Sequence, residues 1–138
     1  MSAAPVFFTT LRQGSANSTG STNSDKSRAS ANNLATVVTG GASGSIIQRV
    51  SVVQNVAAAS TANNIVRAYI HDGTNFDLIL EKNMGGAVTP SATVIGIRET
   101  LPELVGVKLP SSSHSLRVGF SAAGAGDSFT VRAEVGDQ

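Results

Sequence analysis

Between residues 128 and 135 the chain alternates cleanly. Phe129, Val131, Ala133 and Val135 fall on one side, and Ser128, Thr130, Arg132 and Glu134 on the other. A period of two is what a half-buried β-strand requires. The same rhythm runs backwards through the sequence. Residues 115–122 place Leu116, Val118 and Phe120 inward, and residues 65–71 set Val66, Ala68 and Ile70 against Arg67, Tyr69 and His71. Asp72-Gly73-Thr74-Asn75 then predicts a hairpin turn, because Asp-Gly supplies the positive φ of a tight reversal. Residues 76–82 return with Phe76, Leu78 and Leu80 on one side. Residues 45–55 set Ile46, Gln48, Val50 and Val52 against Ile47, Arg49, Ser51 and Val53, and residues 91–100 set Thr93, Ile95 and Ile97 against Val94, Gly96 and Arg98. Shorter runs at 34–39 and 105–109 bring the count to about eight strands. Between them lie Gly-, Ser- and Pro-rich breaks, and Pro102, without an N–H, excludes a central strand at 101–104. No stretch carries an apolar stripe of helical period. The pattern predicts an all-β fold over residues 34–138, an antiparallel β-sandwich that is either jelly-roll-like or Ig-like.

Upstream the rhythm stops. Residues 13–33 hold no apolar side chain larger than alanine, so burial there offers little to offset the entropy of ordering. Residues 1–33 are therefore expected to form a flexible N-terminal arm. Val6, Phe7, Phe8 and Leu11 sit at its far end and are candidate anchors for docking on a neighbouring subunit. Removing the arm is expected to leave a folded domain.

Composition narrows the function. The 138 residues contain no cysteine, which removes disulfides, thiolate metal sites and thiol nucleophiles. Charged residues are 14% of the chain, against roughly 25% in an ordinary soluble domain, as suits a protein packed against other copies. The net charge is +1 and the cations are scattered along the sequence, so no nucleic-acid partner is expected. No apolar run has the length of a membrane span, and the start lacks the basic and apolar regions of a secretory signal. Neither a membrane partner nor Sec-dependent secretion is expected.

Motifs for chemistry are lacking. His71 closes a strand and His114 follows three serines, neither with further ligands at metal spacing, so no metal is expected. Gly41-Ala42-Ser43-Gly44-Ser45 lacks the fifth-place glycine of a nucleophile elbow, and Gly40 to Gly44 lacks the Gly-Lys-Ser/Thr ending of a phosphate loop. Asp72, Asp77, Glu81, Glu99 and Glu103 show no pairing pattern of a glycosidase. The expectation is a protein that is no enzyme and takes no cofactor. Tyr69, with Arg67 beside it on the less apolar face, is a candidate surface contact; the other reading is a tyrosine covering the core with its hydroxyl in water.

Several segments together resemble a known group. They are Leu34-Ala-Thr-Val-Val-Thr-Gly-Gly-Ala-Ser-Gly-Ser-Ile-Ile-Gln-Arg-Val, Asn64-Ile-Val-Arg-Ala-Tyr-Ile-His-Asp-Gly-Thr-Asn-Phe, Val88-Thr-Pro-Ser-Ala-Thr-Val, Leu109-Pro-Ser and the final Phe129-Thr-Val strand. Over residues 34–135 the chain resembles small structural proteins of tailed bacteriophage virions, and departs from them at Glu134-Val135-Gly136-Asp137. The resemblance implies a capsid decoration or cement protein. It would be made in the host cytoplasm and placed on the capsid surface of the virion. Its partners would be the major capsid protein or other virion proteins, and it would form a homo-oligomer, with a trimer favoured. A tail, baseplate or fibre subunit is an alternative, and a receptor- or carbohydrate-binding module a further one.

Overall fold

A computed structural model describes residues 8–19, 21–55, 64–85, 88, 90–121 and 129–138. The strands among them are β1 (Thr10–Asn17), β2 (Ala35–Thr39), β3 (Ser45–Gln54), β4 (Ile65–His71), β5 (Phe76–Asn83), β6 (Arg98–Thr100), β7 (Lys108–Leu109), β8 (Ser115–Phe120) and β9 (Phe129–Asp137). Every pairing is antiparallel, and the pairs are nested: β1 with β9, β2 with β8, β3 with β6 and β7, β4 with β5. The chain is thus one long hairpin doubled back on itself. Lateral pairing of β3 with β9 and of β4 with β8 rolls that hairpin into two sheets. Sheet A has the order β1-β9-β3-β6, with β7 also on β3, and sheet B the order β2-β8-β4-β5. With β6 and β7 sharing one strand position, this is a jelly roll and not an Ig-like arrangement.

The inner faces meet in an aliphatic core. Ile47, Val50, Val52, Val131, Ala133 and Val135 come from sheet A, and Val38, Val66, Ala68, Leu116 and Val118 from sheet B. Phe120 and Phe129 stack at one end, centroids 4.8 Å apart. The sequence rhythm holds in β8 and β9 but slips in β3. A bulge between Ile47 and Arg49 puts Ile47, Val50 and Val52 on one face, so strict alternation misassigns the residues on either side of it. Of residues 91–100, only 98–100 are strand. The Ser91 hydroxyl accepts the N–H groups of Thr93 and Val94, making a turn that competes with the ladder. Ile95 is left 78% exposed, whereas Ile97 is buried.

The N-terminal arm needs correction. Within the stretch expected to be flexible, residues 10–17 form an edge strand in register with β9 from Thr10↔Asp137 to Asn17↔Thr130. The absence of large apolar residues was the wrong criterion. An edge strand with one solvated face needs only small side chains where it crosses β2, and Gly14 and Ala16 are those residues. A Cβ on Gly14 would lie 2.2 Å from the Val37 carbonyl oxygen and 2.8 Å from Val38 Cβ.

Gly14→Val therefore forces backbone to move, and we expect it to lower stability by about 1–3 kcal/mol in urea unfolding, the usual cost of overpacking. Deleting residues 1–33 removes a whole strand and is expected to abolish the cooperative transition. A truncated protein that unfolds like the full chain would show that β1 adds nothing to the sandwich.

Candidate functional site

The segment that follows β1 covers sheet B. Asn23 is buried at its centre and is satisfied at every polar atom that the structure describes. Its N–H donates to the Phe120 carbonyl (2.8 Å), and its Nδ2 donates to the carbonyls of Asp25 (3.0 Å) and Asn32 (2.6 Å). Its Oδ1 accepts the Tyr69 hydroxyl at 2.8 Å, and its backbone carbonyl accepts Arg67 Nη1 at 2.7 Å. Small polar side chains organise the rest. Asn32 Oδ1 accepts the N–H groups of Ser24 and Asp25, and Asp25 accepts the Ser27 N–H and the Ser30 hydroxyl. These local bonds fix the turns where apolar burial is scarce. They also hold the Asp25 carboxyl below its ordinary range, the Ser27 N–H first among them.

Tyr69 and Arg67 are consequently not a surface contact. Tyr69 is 0% exposed on the outer side of sheet B, under the covering segment. Burial pushes its phenol up, opposed by the Asn23 bond and the nearby Arg67. Arg67 also pairs with Glu81 at 3.1 Å, and Lys26 reaches the same carboxylate at 3.3 Å. The sequence showed neither, because the partner, Asn23, lies far away in a stretch without periodicity. Of the candidate anchors, Val6 and Phe7 lie outside the described residues. Phe8 packs on its own chain, with ring atoms 2.4 Å from where a Gly136 Cβ would stand. Leu11 is 74% exposed on the outer face of sheet A.

A second knot joins both ends of the domain. Arg12 grips Asp137 with two bonds, Nε to Oδ2 at 2.7 Å and Nη2 to Oδ1 at 2.9 Å, and donates to the Thr39 carbonyl at 2.8 Å. The Ser45 hydroxyl adds a 2.6 Å bond to Asp137. One carboxylate thus ties β1, β2, β3 and β9, and these donors, Arg12 foremost, hold it below the ordinary carboxylate range.

Among the described residues the outer face of sheet A is open except over Gly136, where the Phe8 ring lies. Its cross-strand rows are Gln13–Glu134–Arg49, Ser15–Arg132–Ser51–Thr100 and Asn17–Thr130–Val53–Arg98, with Lys108 beside Ile46 on β7. Four cations, Arg49, Arg98, Lys108 and Arg132, share this face with Glu134, and Glu99, which pairs with Lys82, reaches its rim. Of the shallow hollows that open there, two meet at Arg49 and Ser51. The larger, about 380 Å³, reaches to Arg98 and Thr100, and the smaller, about 100 Å³, to Arg132 and Glu134. The face is flat and suited to contact. Elsewhere His71 accepts the Gly73 N–H within its turn and packs against Phe76, and His114 bonds Ser111. Among the described residues no three His, Asp or Glu groups converge as metal ligands, and no helix is long and apolar enough to cross a membrane.

Asn23→Ala strands the Tyr69 hydroxyl, and we expect a loss of about 1–3 kcal/mol in denaturant unfolding, as for any orphaned buried polar group. Tyr69→Phe, which removes the donor itself, is expected to cost less. Equal costs would mean that the Asn23 bond is not what holds the cover. Because Asp137 is more acidic folded than unfolded, its contribution is complete above about pH 4, the ordinary carboxylate pKa, and is lost as pH falls through its lowered value. In acid titrations of stability, Asp137→Asn is expected to be weaker than wild type at neutral pH and to lose less on acidification. An unchanged slope would refute this role.

No family model matches the chain, and no curated protein matches it. Among solved structures, a chain from the structure of infectious bursal disease virus, Gx strain, is similar at 15% identity with a TM-score of 0.31. The alignment covers 98% of this chain and 35% of that one, so the present chain spans about a third of its length.

Proposed function

We propose that this chain is a structural protein of a virus particle, of the tailed-bacteriophage kind that its sequence resembles. In this reading it is a decoration or cement protein. It binds the outer surface of the capsid and strengthens the shell by bridging neighbouring subunits, acting by contact and not by catalysis. The observation that carries the reading is the asymmetry of the sandwich: sheet B is covered by the chain itself, and the described residues leave most of the outer face of sheet A open. Jelly rolls of this strand order recur in viral capsid domains. Fold alone does not assign function, and the reading also draws on the low charge content and on exposed Leu11, Val94, Ile95 and Val105, which suit a protein whose surface is occupied in an assembly. The partner would be the major capsid protein. A homo-oligomer, a trimer in the first instance, would multiply weak contacts into stable attachment.

Quantitative mass spectrometry of purified particles tests this directly. The expected outcome is a fixed ratio of this chain to the shell protein, with heat-release of the genome at lower temperature when the chain is stripped. Absence from the particle, or a ratio set by tail subunits, would overturn the reading.

A further inference from the structure

The ten cations of the chain divide sharply once it folds. Arg12, Lys26, Arg28, Arg67 and Lys82 each have a carboxylate within ion-pair distance, and Arg117 lies over the Phe76 ring. Arg49, Arg98, Lys108 and Arg132 form no ion pair among the described residues, and all four stand on the outer face of sheet A. Among the described residues, every cation without an ion pair but Arg117, which lies over the Phe76 ring, is thus gathered on the one sheet face they leave open. Arg49 sits directly across from Glu134, and Arg132 across from Ser51, so the two guanidinium groups are diagonal neighbours. Like charges gathered on one face repel, and that arrangement is compensated when a surface of opposite sign covers it.

We propose that the open face of sheet A docks an acidic protein surface, whose carboxylates pair with Arg49, Arg98, Lys108 and Arg132. The inference rests on the reading of the chain as a contact protein and names the chemistry of its partner. A protein fits better than a nucleic acid. Glu134 stands among the cations and breaks the continuous positive track that a phosphate backbone needs, whereas separate carboxylates on a protein surface can each meet one cation. The face carries apolar Leu11, Ile46 and Val53 between the charges, as protein interfaces do, and its one aromatic ring among the described residues, Phe8, lies packed over Gly136 and not between the cations. Planar guanidinium groups supply paired N–H donors that match carboxylates in geometry as well as sign.

The test uses the full chain with two immobilised probes, poly-L-glutamate and a short DNA duplex, across a salt series. Wild type is expected to bind the polyglutamate, more weakly as salt rises. The double reversal Arg49→Glu/Arg132→Glu is expected to weaken binding by about tenfold or more. Lys26→Glu/Arg28→Glu, which changes the net charge equally on the segment that covers the other sheet, is expected to stay close to wild type. Arg49→Gln/Arg132→Gln keeps the fold in reach should the reversal unfold, and is expected to give an intermediate loss. Equal weakening by the two reversals, or no salt dependence, would overturn the proposal. Tighter, Arg49-dependent binding of the duplex would overturn it in favour of a nucleic acid. Particle composition separates this proposal from the functional reading. A chain present on particles and still attached after the sheet A reversal sinks the docking face alone. A chain absent from particles but binding polyglutamate through these residues sinks the virion assignment alone.

Discussion

The fold depends on pairing between the two ends of the chain. β1 and β9 are the outermost members of the nested hairpin, in register over eight residue pairs, and the Arg12–Asp137 bond locks that pair to β2 and β3. Without β1 the inner edge of β9 would expose its N–H and C=O groups, and the carbonyl of Val37 would lose the close packing of Gly14. Each inner pair is likewise closed by segments distant in sequence, save the β4–β5 hairpin. Contacts of such separation form late, because the loop entropy precedes the reward. The Asp72–Asn75 turn, where one carboxylate oxygen accepts the N–H groups of both Thr74 and Asn75, is the natural local start.

What the sequence discloses is what burial on one face demands. β8 and β9 alternate in the chain as they do in space, since a slip by one residue would carry Val131 and Val135 into water. The β4–β5 turn was legible for a conformational reason, with Gly73 at a φ of +98°. β1 was not legible. Its outward residues are Leu11, Gln13, Ser15 and Asn17 and its inward ones Arg12, Gly14 and Ala16, so hydrophobic contrast between the faces is absent even though the backbone is paired throughout. The covering segment was hidden differently. Its order comes from side chain-to-backbone bonds centred on Asn23, Asp25 and Asn32, and a composition of Ser, Asn and Asp reads the same whether those bonds close or not.

The candidate surface was illegible for a geometric reason. Arg49, Arg98, Lys108 and Arg132 lie on four strands, β3, β6, β7 and β9, and only strand order makes them neighbours. Scattered cations in the sequence therefore did not mean a scattered charge in space. The opposite error arose at Arg67 and Tyr69. They share the polar face of an amphipathic strand, and that face became interior when residues 21–34 folded over it.

The remaining surfaces explain why a broad face, and not an edge, is left for contact. Exposed strand edges invite pairing with another chain unless they are short, charged or covered. β6 and β7 are three and two residues long, and Pro102 and Pro110 follow them. β5 carries Asp77, Glu81 and Lys82, and Lys82 reaches across to the Thr100 carbonyl and to Glu99 and Glu103, closing the gap between the sheets. β1 lies against β2, which occupies the near side of its edge. Edge-to-edge association is thus disfavoured on each side, and sheet B is occupied by its own chain. Association through the face of sheet A then leaves every ladder hydrogen bond intact. A partner docked there, as proposed, would join or leave by exchanging side-chain contacts and ion pairs, while the sandwich beneath it stayed closed.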